Sequence, residues 1–379
     1  MKADLFTYFV YTLFLAVMVA IPSILVSKKR EDEKYDRYVL VGILIISIYV
    51  FVVGLRYLVG TDYDVYLGWF KVLKSSGVFP VNNSDMGYVW LNQFLIWIDA
   101  PFPFLFVIIS FIQIFFMYKA LEKTPFLMSH YFFFFFTTLF VFASMNHMRQ
   151  SMAYFIFFYS FSLYFDKKYV WMVVLLALAA SLHKSVLMYV WVYPLLQFDW
   201  YKNRGVQLAL IAVSSVIADK IFDFILKNVA VYADFLNYGY YVENIEMINE
   251  VTESFAVGAG LGKFLYLILD GCIVWYSIEM KDEFKKYNFT AFYNLYFTGA
   301  FLESVFASNY IFARTVDYMS YFRVFILSFL FYYLLNKEAE KLKNYFIVLL
   351  IILLQLAYYY RGIFNAAANC APYQSIFSY

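Results

Sequence analysis

Gly54-Leu55-Arg56-Tyr57-Leu58-Val59-Gly60-Thr61-Asp62-Tyr63-Asp64-Val65-Tyr66 follows directly from an apolar run over residues 38–55. Runs of that kind recur along the chain at the roughly 17–25 residues needed to cross a bilayer. The composition agrees: 64% hydrophobic and 15% charged, with mean hydropathy +0.67. A soluble domain is nearer half apolar and a quarter charged. Continuous runs such as 345–360 lack the alternation of a transmembrane β-barrel. The implied class is an all-α polytopic membrane protein, read as one integral membrane domain over residues 1–379.

A net charge of +2 gives no reason to expect a nucleic-acid partner. Cys272 and Cys370 have no metal or redox spacing and read as ordinary thiols. The 46 Phe and 38 Tyr are mostly accounted for by lipid-facing rings and interfacial tyrosine belts, although some tyrosines suit stacking on sugar faces.

Charge asymmetry orients the chain. The basic cluster Lys28-Lys29-Arg30 follows the first span, 5–26, so the loop 28–37 is expected to be cytoplasmic and Arg56 to emerge outside. Residues 56–103 then form an outer loop whose amphipathic part, 87–98, lies in the interface or re-enters. Lys167-Lys168 and residues 281–286 both read as cytoplasmic, so an even number of crossings separates them. As one helix, 169–198 would be about 45 Å long, well beyond the hydrocarbon core. Two short limbs meeting at His183-Lys184 satisfy the parity; a single tilted span with 206–218 laid down is the alternative. Residues 219–236 read as an interfacial helix, 229–262 as containing the second outer loop, and 361–379 as a polar tail. The total expected is about 11–12 transmembrane helices. The absence of a convincing internal repeat weighs against an inverted-repeat transporter.

Under this topology four polar groups face outward: Arg56 with Thr61, Asp62 and Tyr63; His147 with Arg149 and Gln150; His183-Lys184; and Arg314, with Arg323 deeper in its span. Ionisable groups in spans mark functional paths by default. Each also has a plainer reading. Arg56, Arg149 and Arg314 could snorkel to an interface. Arg314 could pair with Asp317. His183 could be a hydrogen-bonded residue at a helix break. Asp62 and Asp64 are too ordinary a pair to specify a metal, and Thr61-Asp62 suits a helix cap or turn. Taken together, arginines match phosphate oxygens and keep their charge in a dry site, and a histidine can take a proton from an attacking hydroxyl. Such parts fit glycosyl transfer from a polyprenyl diphosphate, with no metal or cofactor expected.

Gly54-Leu55-Arg56-Tyr57 with Gly60-Thr61-Asp62-Tyr63 and Tyr66 resembles the signature of the EpsG-type family of bacterial exopolysaccharide and O-antigen polymerases, which are Wzy-like. Met148-Arg149-Gln150-Ser151-Met152-Ala153 resembles its second motif. Ala179-Ala180-Ser181-Leu182-His183-Lys184-Ser185 resembles its third. Order and spacing agree over residues 38–200; Arg314 and Tyr321-Phe322-Arg323 resemble a late motif with different spacing. The resemblance implies a multi-pass glycosyltransferase of the bacterial cytoplasmic (inner) membrane, GT-C-like in architecture, with its active site facing the periplasm or outside. It would join undecaprenyl-diphosphate-linked oligosaccharide repeats, serving as donor and acceptor, with membrane lipid around it and a chain-length regulator protein as a candidate partner. On that reading His183 is the leading base, with Asp62 second and His147 third. Arg149 and Arg314, with Arg56, would hold the diphosphate; Tyr57, Tyr63 and Lys184 would shape the sugar site, beside Thr61, Gln150 and Arg323. A lipid-linked oligosaccharide flippase and an O-antigen ligase-like transferase are the rival expectations.

Overall fold

The computed structural model describes residues 3–26, 34–81, 85–214, 259–306 and 310–377. Most of the loop at 28–37, the helix expected at 219–236 and most of the loop at 229–262 lie outside the described residues. Among those described there are helices and turns but no strand, and one isolated bridge pairs Arg56 with Ser375. Among the described residues, five helices are long and apolar enough to cross a bilayer: Leu5–Leu25, Arg37–Gly54, Pro103–Ala120, Arg314–Asn336 and Lys341–Phe364. The pair Pro125–Thr137 and Phe140–Asn146, bent by 68°, is a sixth if counted as one span. The chain is therefore an all-α polytopic membrane protein. The expectation of about 11–12 crossings counted apolar runs over the whole chain, whereas these five or six lie among the described residues. Several of those runs form short helices instead, such as Tyr169–Leu182 and Arg204–Ser214.

The chain forms two compact units, Met1–Leu187 with Ile352–Tyr379, and Met188–Ile351. In the first unit, α1 (Leu5–Leu25) begins at Asp4, whose carboxylate accepts the Thr7 N–H at 2.8 Å, satisfying an orphan donor of the first turn. Its buried stripe, Thr7, Tyr11, Phe14, Met18 and Pro22, follows helical spacing. Phe14 meets Phe136 edge-on at 4.7 Å, and Tyr11 meets Phe142 at 4.9 Å.

Helix α2 (Lys34–Tyr49) runs into a π-turn, Val50–Gly54. A Cβ on Gly54 would lie 2.6 Å from Ser110 Oγ and 3.0 Å from Val107 Cα, so only glycine allows this turn to lie against α5 (Pro103–Ala120). The next residues are not an open loop. The tail folds back over them: Tyr57 N–H donates to Gln374 O (2.9 Å), Gly60 N–H to Asn369 O (2.9 Å), Thr61 N–H to Ala368 O (3.2 Å), and Ile376 N–H to Leu55 O (2.9 Å). Tyr11 in turn donates to Cys370 O at 2.6 Å, and Thr7 Oγ1 accepts Tyr373 N–H at 2.8 Å. Gly60 has φ +110°, a conformation side chains resist, and a Cβ there would sit 2.9 Å from Asn146 Oδ1.

Helices α3 (Tyr63–Ser76) and α4 (Met86–Trp97) are too short to span a bilayer. Along α4, Tyr88, Val89, Asn92 and Leu95 are buried while Met86, Trp90, Phe94 and Trp97 are exposed. That two-faced pattern matches the amphipathic segment expected at 87–98. After α6 (Met128–Thr137) and α7 (Phe140–Asn146), the chain breaks at His147 into α8 (Met148–Phe165). Helix α9 (Tyr169–Leu182) stops where a break was expected: His183 takes extended backbone, φ −160° and ψ 111°, and a 3-10 turn, Lys184–Tyr189, follows.

In the second unit, Arg204–Ser214 is α10, Ala259–Glu283 α11, Phe289–Val305 α12, Tyr310–Ser320 α13 and Phe322–Asn336 α14. A Cβ on Gly299 would lie 2.7 Å from the Met319 carbonyl carbon, so α12 and α13 cross at backbone contact. Phe284, Phe289 and Phe329 form an aromatic core with centroids 4.8–6.0 Å apart.

A chain ended after Asn365 should lose the carbonyls that hold residues 57–61. Limited proteolysis in detergent is expected to cut it between residues 55 and 62 while sparing the full chain, with a lower unfolding midpoint. Equal resistance of the two chains would mean that the tail contributes nothing to this fold.

Candidate active site

Asp85 directly precedes α4 and occupies its N-cap position, yet its side chain makes no cap hydrogen bond. The carboxylate turns to two other helices. Oδ2 accepts from Arg149 Nη1 at 2.9 Å and faces His183 Nδ1 at 3.1 Å; Oδ1 accepts the Lys184 N–H at 3.1 Å. Gly87 makes this possible, since a Cβ there would come within 3.0 Å of the Ser181 carbonyl carbon. The start of α4 and the end of α9 therefore approach backbone to backbone, which brings Asp85 to the break at His183.

Arg149 extends from the first turn of α8. Its guanidinium lies 5.2 Å from the Trp69 ring and 5.5 Å from the Tyr88 ring, within reach of cation–π attraction. Tyr66, Trp69, Phe79 and Tyr88 pack edge-on around this position. Arg149 Nε is buried and has no hydrogen-bond partner among the described residues. The side chains of Arg149, Asp85 and His183 are 22%, 8% and 21% exposed, so the carboxylate is enclosed while the two basic groups reach the surface. Burial pushes the Asp85 carboxyl up. The hydrogen bond and charge of His183, the Arg149 charge and the Lys184 N–H outweigh it and hold the group below the ordinary carboxylate range. Asp85 is thus an anion at neutral pH, and its imidazole contact favours the tautomer with hydrogen on Nδ1 and a lone pair on Nε2.

The stretch around Arg56 forms a different network. Arg56 is 2% exposed. Its Nε donates to Val59 O (3.1 Å), its Nη1 to Val53 O, and its Nη2 to Met145 O (2.7 Å) with Met148 Sδ at 3.2 Å. The Phe106 ring lies 4.5 Å from the guanidinium carbon. Arg56, expected at an outer rim that contacts substrate, is here an internal clamp. It holds the two sides of the His147 break from which Arg149 is displayed. Tyr63 is buried and stacks on Phe106 at 4.7 Å, with Tyr57 edge-on at 6.1 Å. Thr61 is exposed beneath the returning tail. Asp62 begins α3 as its N-cap residue, and its N–H donates to Asn146 Oδ1 at 3.3 Å. His147 is half-buried at the α7–α8 break, and Gln150 is buried one residue past Arg149.

In the second unit, Arg323 is 2% exposed and held by two carboxylates. Nε and Nη2 donate to Asp270 Oδ1 and Oδ2 at 2.9 and 3.1 Å, and Nη1 to Glu303 Oε2 at 2.7 Å. Tyr296 donates to Asp270 Oδ1 at 2.8 Å, and the Tyr266 ring lies 4.5 Å from the guanidinium. Arg314 is half-buried on α13.

The structure thus brings together Arg149, His183 and the Lys184 backbone, and adds Asp85, which sequence reasoning missed. Asp85 reads as one more aspartate between a polar turn and a helix. Asp270 and Glu303 were missed as well, although an acid inside an apolar run is itself a signal that a buried cation needs a partner.

Helices long enough to cross a bilayer, together with an acid, an arginine and a histidine gathered where α4, α8 and the end of α9 meet, define a polytopic membrane protein with a built polar site. The chain belongs to the EpsG family: a model of that family matches residues 38–375, from the start of the second span through the returning tail. EpsG is a Wzy-like polymerase family, and membership points to a polysaccharide-polymerase type of function. No curated protein and no solved structure matches the chain.

Arg56→Ala leaves buried main-chain carbonyls without donors, at about 1–3 kcal/mol for each unsatisfied group. Its thermal midpoint in detergent should fall clearly below that of Arg149→Ala, which has a partly exposed side chain. Asp270→Asn should cost about 3–5 kcal/mol, because it leaves the Arg323 charge short of its closest partner; an unchanged midpoint would mean that Glu303 alone suffices.

Proposed function

We propose that the protein is an O-antigen or exopolysaccharide repeat-unit polymerase of the bacterial cytoplasmic membrane, working on its outer face. It moves a growing glycan from undecaprenyl diphosphate to the non-reducing end of a lipid-linked repeat. The observation that carries this reading is the meeting of Arg149 and His183, 34 positions apart in sequence, on the single carboxylate of Asp85.

In this reaction an acceptor hydroxyl attacks the anomeric carbon of the donor sugar. The new C–O bond forms as the bond to the diphosphate oxygen breaks. His183 Nε2 takes the hydroxyl proton, which contributes about 10²–10⁴-fold for a well-placed base. Arg149 stabilises the charge gathering on the leaving diphosphate, a contribution of about 10²–10³-fold for one aimed donor. The unpartnered Nε supports that role, since a buried guanidinium N–H calls for an oxygen that the described protein does not supply. Asp62 and His147 are the next candidates for the base. Lys184, Tyr57 and Tyr63 shape the sugar site, and the scaffold is GT-C-like.

Membranes holding the wild-type chain and supplied with lipid-linked repeats should make long glycan, and His183→Ala and Arg149→Ala at equal expression should lose at least about 10²-fold of that activity. Cells without the protein should display single repeats outside. Repeats retained inside would indicate a flippase, and full-length glycan left unattached a ligase. Normal polymerisation by both variants would overturn the assignment.

A further inference from the structure

The polymerase reading leaves one detail of the cluster unused. Asp85 Oδ2 serves two partners at once, Arg149 Nη1 and His183 Nδ1. Oδ1 is tied to the Lys184 N–H, immediately after the point where α9 breaks. The main-chain bond to one oxygen restrains the carboxylate, while the other oxygen is shared between a cation and an imidazole.

We propose that Asp85 is a positioning residue of the transfer reaction, fixing His183 with its lone pair on Nε2 and making its basicity depend on whether a diphosphate occupies Arg149. The proposal rests on the polymerase reading for the identity of that diphosphate. Arg149 and His183 share one carboxylate oxygen, so the guanidinium charge opposes formation of a second cation on the imidazole. A bound diphosphate neutralises the guanidinium and competes with Asp85 for its N–H groups. The carboxylate's charge then acts more fully on His183, and the imidazolium that forms on proton transfer is better stabilised. Charged and titratable neighbours among the described residues include Lys184 beside His183, Tyr66 of α3, which acts on Arg149, and Tyr88 of α4, whose ring flanks it. The base is therefore strongest when the donor is in place. No co-reactant is needed: the proton leaves the acceptor hydroxyl, resides on Nε2, and departs to solvent as the product leaves.

The test is ¹⁵N-histidine NMR on the full chain in detergent, with His183 assigned by difference from His183→Gln. In the wild type the Nδ1–H tautomer is expected. Adding undecaprenyl diphosphate should move the His183 midpoint upward by about one pH unit. Asp85→Asn should lower the midpoint and abolish the response, and Asp85→Glu should restore part of it, at unchanged thermal midpoint. In turnover, the acid limb of kcat should lie at higher pH than that of kcat/KM, and Asp85→Asn should shift both limbs to lower pH while reducing kcat at least about 10²-fold. An Nε2–H tautomer, or a midpoint indifferent to undecaprenyl diphosphate, would overturn the proposal even if the wild type polymerises normally. A wild type that shows the NMR response yet makes no polymer would instead overturn the polymerase reading and leave the coupling standing.

Discussion

A buried guanidinium with main-chain carbonyls for partners is the constraint on which the first unit depends. Taking an ion out of water costs several kcal/mol even after relaxation. Arg56 meets that cost with carbonyl dipoles from Val53, Val59 and Met145 and with the face of Phe106. Lysine could not do the same, because its point charge lacks the planar fork that reaches three directions at once. The consequences spread outward. The π-turn before Arg56 aims it inward, Gly54 lets that turn touch α5, and the bond to Met145 O fixes the end of α7. Arg149, four residues beyond Met145, inherits its position from this clamp.

The two arginine networks solve the same problem in different ways. Arg56 relies on backbone and an aromatic face, so its loop has to be shaped around it. Arg323 relies on Asp270 and Glu303, so α11, α12 and α14 each supply one member of a salt-bridged group. Arg149 stands between these cases, with one carboxylate, two aromatic rings and an unpartnered Nε. The incomplete satisfaction of Arg149 is what sets it apart as a group suited to a ligand.

How much of this could be read from the sequence follows from the range of each interaction. Hydropathy is local, so the apolar helices, the break at His183 and the two-faced segment at 87–98 were legible. Residue type is also local, so Arg149 and His183 stood out as ionisable groups at the ends of apolar runs. Burial is not local. Nothing around Arg56 reveals that residues 145–148 and 368–376 close over it, so a clamp looked like a rim. Asp85 meets partners 64 and 98 positions away and was invisible for that reason. Apolarity alone also does not distinguish a spanning helix from a short one, and among the described residues helices such as Tyr169–Leu182 stop early.

The returning tail ties the geometry of the motif to the order in which the chain is made. Residues 54–61 are made early, yet the carbonyls of Ala368, Asn369 and Gln374 that accept from N–H groups in this stretch are synthesised after the long helix Lys341–Phe364. Until that segment arrives, the loop around Arg56 has the cation without its outer lining. The clamp, the α7–α8 break and the polar cluster beyond it therefore settle late in the making of the chain, and a nascent chain that lacks the tail carries that cluster unassembled.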